Sequence, residues 1–450
     1  MSQAQQTRPP PRFFNDLPTG WREERLNDIA ELRTSNVNKK SAEGEKPVKL
    51  CNYVDVYYND AITSKIEFMD ATATELQIER FTLNIGDVVF TKDSESPDDI
   101  GIPSLVAESI PGLVCGYHLA ILRSDEKLID GSYLFYALSS VRSAHQFYLA
   151  ANGVTRFGLT LQGTKNIRIA FPSVVEQQKI AAFLAQKTGQ IDVLIAKKKE
   201  LMEKLKEKRL AVITQAITKG IDAAVPLRDS GITWLGDVPK HWEVKRLKFV
   251  ARIGNGSTPN REEPLYWDDG VYPWLNSSVV NQETVTSSDQ FVTPLALKEC
   301  HLPQIQPPAV LVGITGQGKT RGMASTLLFE ATINQHLAYV KPDSSHAVVG
   351  FLRRVFDMAY SHLRSESENG GSTKGAITCE QIAELPIPVP PLAEQIAIAA
   401  YIDAAMIKIN KMAEKTELAI ANLTEYRTAL ITEATTGKID VRHVATPAPT

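Results

Sequence analysis

The feature that most constrains the fold of this 450-residue chain is that it repeats itself. Residues 167–222 and 385–440 align at a constant offset of 218, which places Pro172 on Pro390, Glu176 on Glu394, Gln177 on Gln395, Ile180 on Ile398 and Asp222 on Asp440. The same offset carries His118-Leu-Ala onto His336-Leu-Ala and Thr160 onto Thr378. Earlier in each copy, DLPTGWREERL (16–26) matches DVPKHWEVKRL (237–247) at an offset of 221. Because the matches keep their order, one unit has been duplicated, and the fold must be built twice. Each half reads as one globular segment followed by one long helix.

The helices follow from spacing and caps. In the first, Ser173 and Glu176 stand in capping-box spacing after Pro172. Apolar residues then recur in steps of three, four or seven at Ile180, Leu184, Ile191, Leu194, Leu201, Leu205 and Val212, a heptad seam interrupted by Lys187 and Lys198. Lys219-Gly220 supplies a stop, since glycine accepts the left-handed cap. The second helix places Ile402, Ile409, Met412, Ala419, Leu423 and Leu430 on its seam, with Gly437 near its end. Each helix spans about 60 Å, too long and too narrowly apolar to stand alone, so each seam needs a partner. Residues 176–222 carry 10 basic and 6 acidic side chains (+4), and residues 394–440 carry 5 and 7 (−2). Opposite charge beside facing seams favours pairing of the two helices with each other. The run KKKELMEKLKEKR (197–209) reads as a solvated face, with a secondary role near DNA phosphate as the alternative.

Around the helices, short β-rich runs alternate with turn residues: GDVVFTK (86–92), LAILRS (119–124), AVLVGIT (309–315) and HLAYVKP (336–342). Helical spacing recurs in 132–149 and 348–363. The chain is therefore read as α/β (α+β): two globular domains alternating with two long helices that pair as an antiparallel coiled coil, in a pseudo-two-fold internal duplication. The boundaries expected are a disordered tail at 1–15, a first domain at 16–172, a helix at 173–222, a linker at 223–236, a second domain at 237–390, a helix at 391–440 and a disordered tail at 441–450. Length alone allows about two to four domains. No apolar run approaches the ~20 residues of a membrane span, and the N-terminus lacks the pattern of a secretory signal. Cys51, Cys115, Cys300 and Cys379 are scattered without metal-ligand spacing, which fits buried thiols in a reducing cytosol. The net charge of −3 argues that any contact with a polyanion is local or shared with a partner protein.

Three motifs bear on chemistry. Gly313 to Thr320 satisfies GxxxxGK[ST], the phosphate-binding loop of ATPases that would use Lys319. Such a loop must open a long helix, and RGMASTLLFEA (321–331) is β-leaning instead. The equivalent stretch of the first half, 90–106, has no such motif, so strand–loop–strand fits both copies better. Two further loops correspond, Gly153-Val-Thr-Arg156-Phe-Gly158-Leu-Thr160 and Gly371-Ser-Thr-Lys374-Gly375-Ala-Ile-Thr378. Each is either a tight turn with an exposed cation or a place where backbone amides and Arg156 or Lys374 meet DNA phosphate. His118 and His336 read as hydrogen-bonded structural residues ahead of their strands. No GxSxG elbow, HExxH, metal-spaced carboxylates or dinucleotide fingerprint is present. The Asn/Asp-Pro-Pro-aromatic motif of an amino-methyltransferase is also missing.

With DSGITWLGDVPKHWEVKRL (229–247), GSTKGAIT (371–378), LPIPVPPLAEQ (385–395) and the matching first-half segments on the page, the chain closely resembles the specificity (S) subunit of type I restriction-modification enzymes over about residues 16–440. That resemblance implies a non-catalytic subunit of a complex with adenine-N6 methyltransferase and endonuclease activities. The two globular domains would be target recognition domains, each reading one half of a bipartite site in double-stranded DNA. The helices would fix the gap and dock two methyltransferase subunits, which motor–nuclease subunits then join. No cofactor is expected on this chain; S-adenosylmethionine would sit in the methyltransferase, and ATP and Mg in the motor–nuclease. No membrane is implied, and the location is cytoplasmic. By the resemblance, 313–322 is a readout loop, so Gln317, Lys319, Thr320 and Arg321 are candidate DNA contacts, together with Lys92, Asp93 and Ser94 at the equivalent place and the cations Arg156 and Lys374. The acidic SESPDD (94–99) departs from the pattern in the first half. A P-loop ATPase and a coiled-coil adaptor without DNA contact are the alternative readings.

Overall fold

The computed structural model describes Phe14, Leu17–Gly316, Gly318–Asn369 and Gly375–Arg442. The two proline-rich tails expected at 1–15 and 441–450 lie largely outside these residues. The chain forms two compact units, one gathering the residues up to Lys199 with those from Glu417 onward, the other comprising Glu200–Thr416.

Each unit is built on a five-stranded sheet of the same topology. In the first, the strands lie in the order Ala30–Thr34, Leu119–Ser124, Val88–Thr91, Pro103–Val106 and Ala61–Ile62. In the second the order is Ala251–Asn255, Leu337–Pro342, Ala309–Gly313, Ala324–Leu327 and Thr284–Val285. All neighbours are antiparallel except the last pair in each sheet, Ala61 beside Leu105 and Thr284 beside Thr326, which are parallel. Both central strands are buried on both faces, which is why they read as unbroken apolar runs rather than as alternating ones. Val88 and Phe90 face the core shared with the long helices, while Val89 faces a separate β-rich core. Val310 and Val312 divide from Ala309 and Leu311 in the same way. A two-stranded antiparallel brace closes each repeat, Arg22–Arg25 with Arg168–Phe171 and Glu243–Arg246 with Pro386–Val389. It ties the first strand of the repeat to the strand that leads into the long helix.

The long helices run Val174–Lys219 and Leu392–Thr435. In the first unit the early residues Ile180, Leu184 and Ile191 share a core with the late residues Leu430, Ile431 and Ala434. In the second, Leu205, Ile213 and Ile217 share one with Ile398, Ile402, Met406 and Ile409. The helices are thus antiparallel in each unit. Their seam differs from the one read in the sequence. Leu194 and Met412 are 48% and 47% exposed. The covered line on the first helix, buried or half-buried throughout, is Thr188, Ile191, Ile195, Lys198, Met202, Leu205, Arg209 and Val212. On the second it is Ile402, Met406, Ile409, Ala413, Thr416, Ile420, Leu423, Arg427, Leu430 and Ala434. Both keep a strict three-four alternation. Lys198 stands in the seam of both readings, Arg209 holds a half-buried seam position that a count of apolar residues passes over, and Leu201 packs half-buried on the second unit's core beside Met202. Outside the seam, the basic run is solvated and laced by the exposed pairs Lys204–Glu200 and Lys206–Glu203.

Both helix ends close against a tryptophan of a D-x-P-x-x-W segment. Gly220, in the left-handed conformation at φ 76°, lies against Trp242, whose indole Nε1 donates to Glu394 Oε2 at 2.9 Å. Gly437, at φ 75°, lies against Trp21 and Pro18. The paired glutamines explain another shared residue. Gln177 is fully buried; its Oε1 accepts from Asp130 N (2.8 Å) and its Nε2 donates to Leu128 O and Pro172 O (both 3.0 Å). Gln395 does the same for Val348 N (3.0 Å), His346 O and Pro390 O (both 2.8 Å). Gln395→Leu should therefore strand three backbone groups and cost the second unit about 3 kcal/mol or more, measured by denaturant unfolding. Loss of less than about 1 kcal/mol would show that the amide is replaceable.

Candidate nucleic-acid interface

The loop after the central strand and the glycine loop before the long helix are far apart in sequence, yet they meet in both repeats. In the first, Asp93–Ser94 pairs with Phe157–Leu159, which pairs in turn with Ala151–Gly153. Gly153 is required there: at φ 149° a Cβ would stand 2.0 Å from Arg156 O. Asp93 is the node of this corner. Its Oδ1 accepts from Arg156 Nη2 at 3.0 Å, and its Oδ2 lies 2.8 Å from His118 Nδ1. The imidazole packs on Tyr117, ring centroids 3.7 Å apart. Arg156 remains 62% exposed at its side chain, so the carboxylate orients the guanidinium without covering it. Lys92 Nζ donates to Ser35 O at 3.3 Å, and Ser94 is buried, with its Oγ accepting from Ser96 N at 3.3 Å. The exposed cation of this corner is Arg156. Lys92, Asp93 and Ser94, named as candidate DNA contacts, make the internal hydrogen bonds of this corner, with Lys92 and Asp93 half-exposed and Ser94 buried.

In the second repeat the strand Ala309–Gly313 turns back through the loop into Ala324–Leu327 as an antiparallel hairpin, with Gly322 N donating to Gly313 O at 2.7 Å. No helix follows Lys319, so the geometry that a phosphate-binding loop needs is missing. The loop is held from below by the helix Val349–Asn369: Tyr360 Oη donates to Lys319 O, and Arg364 Nη1 to Gly318 O, both at 2.8 Å. Ile377 N donates to Ile314 O at 2.8 Å, which joins the glycine loop to this hairpin. Lys319 is exposed and Thr320 half-exposed. His336 Nδ1 lies 2.7 Å from Thr315 Oγ1, so a hydroxyl stands where the first repeat has Asp93. Arg321 overturns its expected role. It is 2% exposed, with Nη2 on Glu368 Oε1 at 2.7 Å and its Nε and Nη1 without partners among the described residues. Its guanidinium fills the space over Gly375, where a Cβ would stand 1.8 Å from Nη1. Arg321 is a strut under the loop rather than a contact above it. Gln317 and Lys374 lie outside the described residues.

One feature escaped the sequence reading. Arg261 stacks over Trp267 at 4.0 Å and Trp274 at 4.7 Å, and donates from Nη2 to Gln290 Oε1 at 2.9 Å. The only signal was the aromatic density of PLYWDDGVYPWL (264–275). Among the described residues, no group of three or more His, Cys, Asp or Glu side chains could hold a metal ion, and no helix is long and apolar enough to cross a membrane. Burial pushes the Cys51 and Cys115 thiols up, whereas Cys300 and Cys379 are only partly covered.

Comparison with known proteins gives a consistent picture. The family model for the type I restriction modification DNA specificity domain matches residues 18–203 and again 239–419. The chain is similar to the MjaX type I restriction enzyme specificity subunit of Methanocaldococcus jannaschii, 24% identical over 419 residues, covering 91% of this chain and 94% of that protein. It is also similar to the EcoR124I/EcoR124II specificity subunit of Escherichia coli, 24% identical over 173 residues, 38% of this chain and 43% of that one. Among solved structures, one chain from a study of complex assembly and conformational transition in the type I R-M system superposes with a TM-score of 0.72 at 17% identity, covering 94% of this chain and all of that one. The HsdS subunit of Thermoanaerobacter tengcongensis gives 0.55 at 18% identity, covering 94% and 99%.

Proposed function

This chain belongs to the type I restriction-modification DNA specificity family, and on that premise we propose that it selects the DNA sequence on which a methyltransferase and a restriction complex act. One observation carries the reading: the same sheet, built twice, brings the same two loops together, and each corner keeps a cation at the surface, Arg156 in one and Lys319 in the other. Two such corners suit a DNA target in two halves, one half for each domain, by the geometry that makes half-site spacing mirror the symmetry of the reader. The paired helices act as the spacer between half-sites and as the docking surface for two methyltransferase subunits. Their partners supply much of the phosphate neutralisation that a chain of net charge −3 lacks. The chemistry of methyl transfer and cleavage resides in those partners. S-adenosylmethionine is the cofactor of the methyltransferase, and ATP with Mg serves the motor–nuclease.

The two cations should behave differently. Lys319, at the tip of a hairpin, reads a base edge; Lys319→Ala should cost about 1–3 kcal/mol of cognate binding and relax the sequence at one position. Arg156, fixed by Asp93, sits on a phosphate; Arg156→Ala should weaken cognate and non-cognate DNA alike and flatten the salt slope by about one unit. Binding isotherms of the complex with its methyltransferase, run over a salt series on both DNAs, check this. Measurable ATP binding by the wild-type chain that Lys319→Ala abolishes would contradict the assignment.

A further inference from the structure

Resting on the specificity-subunit reading, we propose that Arg209 and Arg427 are matched clamps that hold each recognition domain to the far end of the other domain's helix, and so set how sharply the protein discriminates gap length. The two arginines occupy equivalent places in the duplicated helices, 218 residues apart, and both sit on the seam where an aliphatic side chain would pack without cost. An arginine on both seams has to keep its charged head satisfied, and each does so through the same pair of contacts.

Arg427 reaches across the helix pair to Asp192, Nε to Oδ1 at 2.9 Å and Nη2 to Oδ2 at 3.3 Å, and its Nη2 also bonds Asp60. Asp60 immediately precedes the edge strand Ala61–Ile62, and its own carbonyl accepts from Leu105 N at 2.9 Å, so this acid is anchored in the recognition sheet. Arg209 reaches across to Asn410, Nη1 to Oδ1 at 3.1 Å, and its Nη2 bonds Glu283 Oε1 at 3.2 Å. Glu283 immediately precedes the edge strand Thr284–Val285, and its carbonyl accepts from Thr326 N at 3.0 Å. Asp192 and Asn410 are again 218 residues apart. The arrangement is therefore repeated contact for contact. The second copy replaces a carboxylate by an amide and adds Arg354, which bonds Glu283 at 3.3 Å and Asp403 at 2.6 Å.

The connectivity gives these contacts their meaning. Each domain is joined covalently to the start of the helix that follows it. The arginine that holds its edge strand comes from the closing stretch of the other helix. Each domain also packs on both helices through its shared core; the arginine adds a charge-assisted hydrogen bond at the edge strand, so that edge cannot tilt away from the helix pair without breaking it. Arg209 and Arg427 are in this sense positioning residues, acting on the angle of the reading domain and not on DNA.

The test uses the complex with its cognate methyltransferase and DNA targets identical in both half-sites but differing in gap by single base pairs. Asp60→Ala and Glu283→Ala remove the bond to the sheet while leaving both arginines in place, and both side chains are more than half exposed, at 60% and 52%. Each should raise methylation one base pair away from the optimal gap, relative to the optimum, by about three- to tenfold. Half-site sequences should stay the same, and the double variant should be broader than either single one. Asn410→Asp, which gives the second clamp the carboxylate of the first, should narrow the profile instead. A sharp wild-type profile that all these variants leave unmoved, with unchanged melting temperatures, overturns the clamp alone. A wild-type complex indifferent to gap length sinks both the spacer reading and the clamp.

Discussion

Replacing residues 237–388 with the corresponding domain of another specificity subunit should rewrite one half of the methylated sequence and leave the other half as it was. The reason lies in how the cores are divided. The sheet Leu337–Pro342, Ala309–Gly313, Ala324–Leu327 and the helix Val349–Asn369 pack on one another and on nearby turns of the long helices, within the second unit. The bonds that build the first unit's candidate corner join Asp93, His118 and Arg156 to one another, all within that unit. Methylation of the original site should fall at least about a thousandfold, since several mismatched base pairs at ~1–3 kcal/mol each are lost together. Retention of Ile398, Ile402 and Met406 keeps the face on which the incoming domain must pack. Methylome sequencing of a host carrying the chimera reads the outcome, and a change in both halves would refute the modular account.

How much of this was legible beforehand can be judged from particular residues. The duplication was visible because the matching residues carry backbone obligations that tolerate little change. Gln177 and Gln395 each satisfy three backbone groups, and Gly220 and Gly437 each adopt positive φ against a tryptophan. The helices announced themselves by period and caps, and the hairpin at 309–327 by the β-leaning residues that follow Lys319. The heptad register was only partly legible because polar residues hold seam positions: Arg209 and Arg427 are half-buried and Thr416 is buried, and a count of apolar residues passes over all three. The readout residues were only partly legible. Arg321 sits in a run of surface-like residues, and only the missing side chain at Gly375, 54 positions away, makes room for it to be buried. Asp93 was named for its place equivalent to the 313–322 loop, whereas its partners His118 and Arg156 come from two other loops. Such long-range pairings leave no local signature.

The second large effect concerns the spacer. Because both seams keep a strict heptad, seven residues can be inserted into each helix without turning its apolar face away from its partner. Suitable places are between Lys199 and Glu200 and between Thr416 and Glu417, where the chain passes from one unit to the other. Such an insertion lengthens each helix by about 10 Å, two turns, and leaves every readout loop untouched. With DNA rising 3.4 Å per base pair, the preferred gap should lengthen by about three pairs. If the helices only dock partners and the domains find DNA on flexible joints, several gaps would be used equally and the insertion would not shift them.

The most direct measurement is therefore the methylation rate of the wild-type and double-heptad complexes on one target series, constant in both half-sites and varied in gap by single base pairs. The account predicts one sharp optimum for the wild type and one displaced to a longer gap for the variant, with the same two half-sites methylated. An optimum that stays in place in a folded, fully helical variant would contradict it.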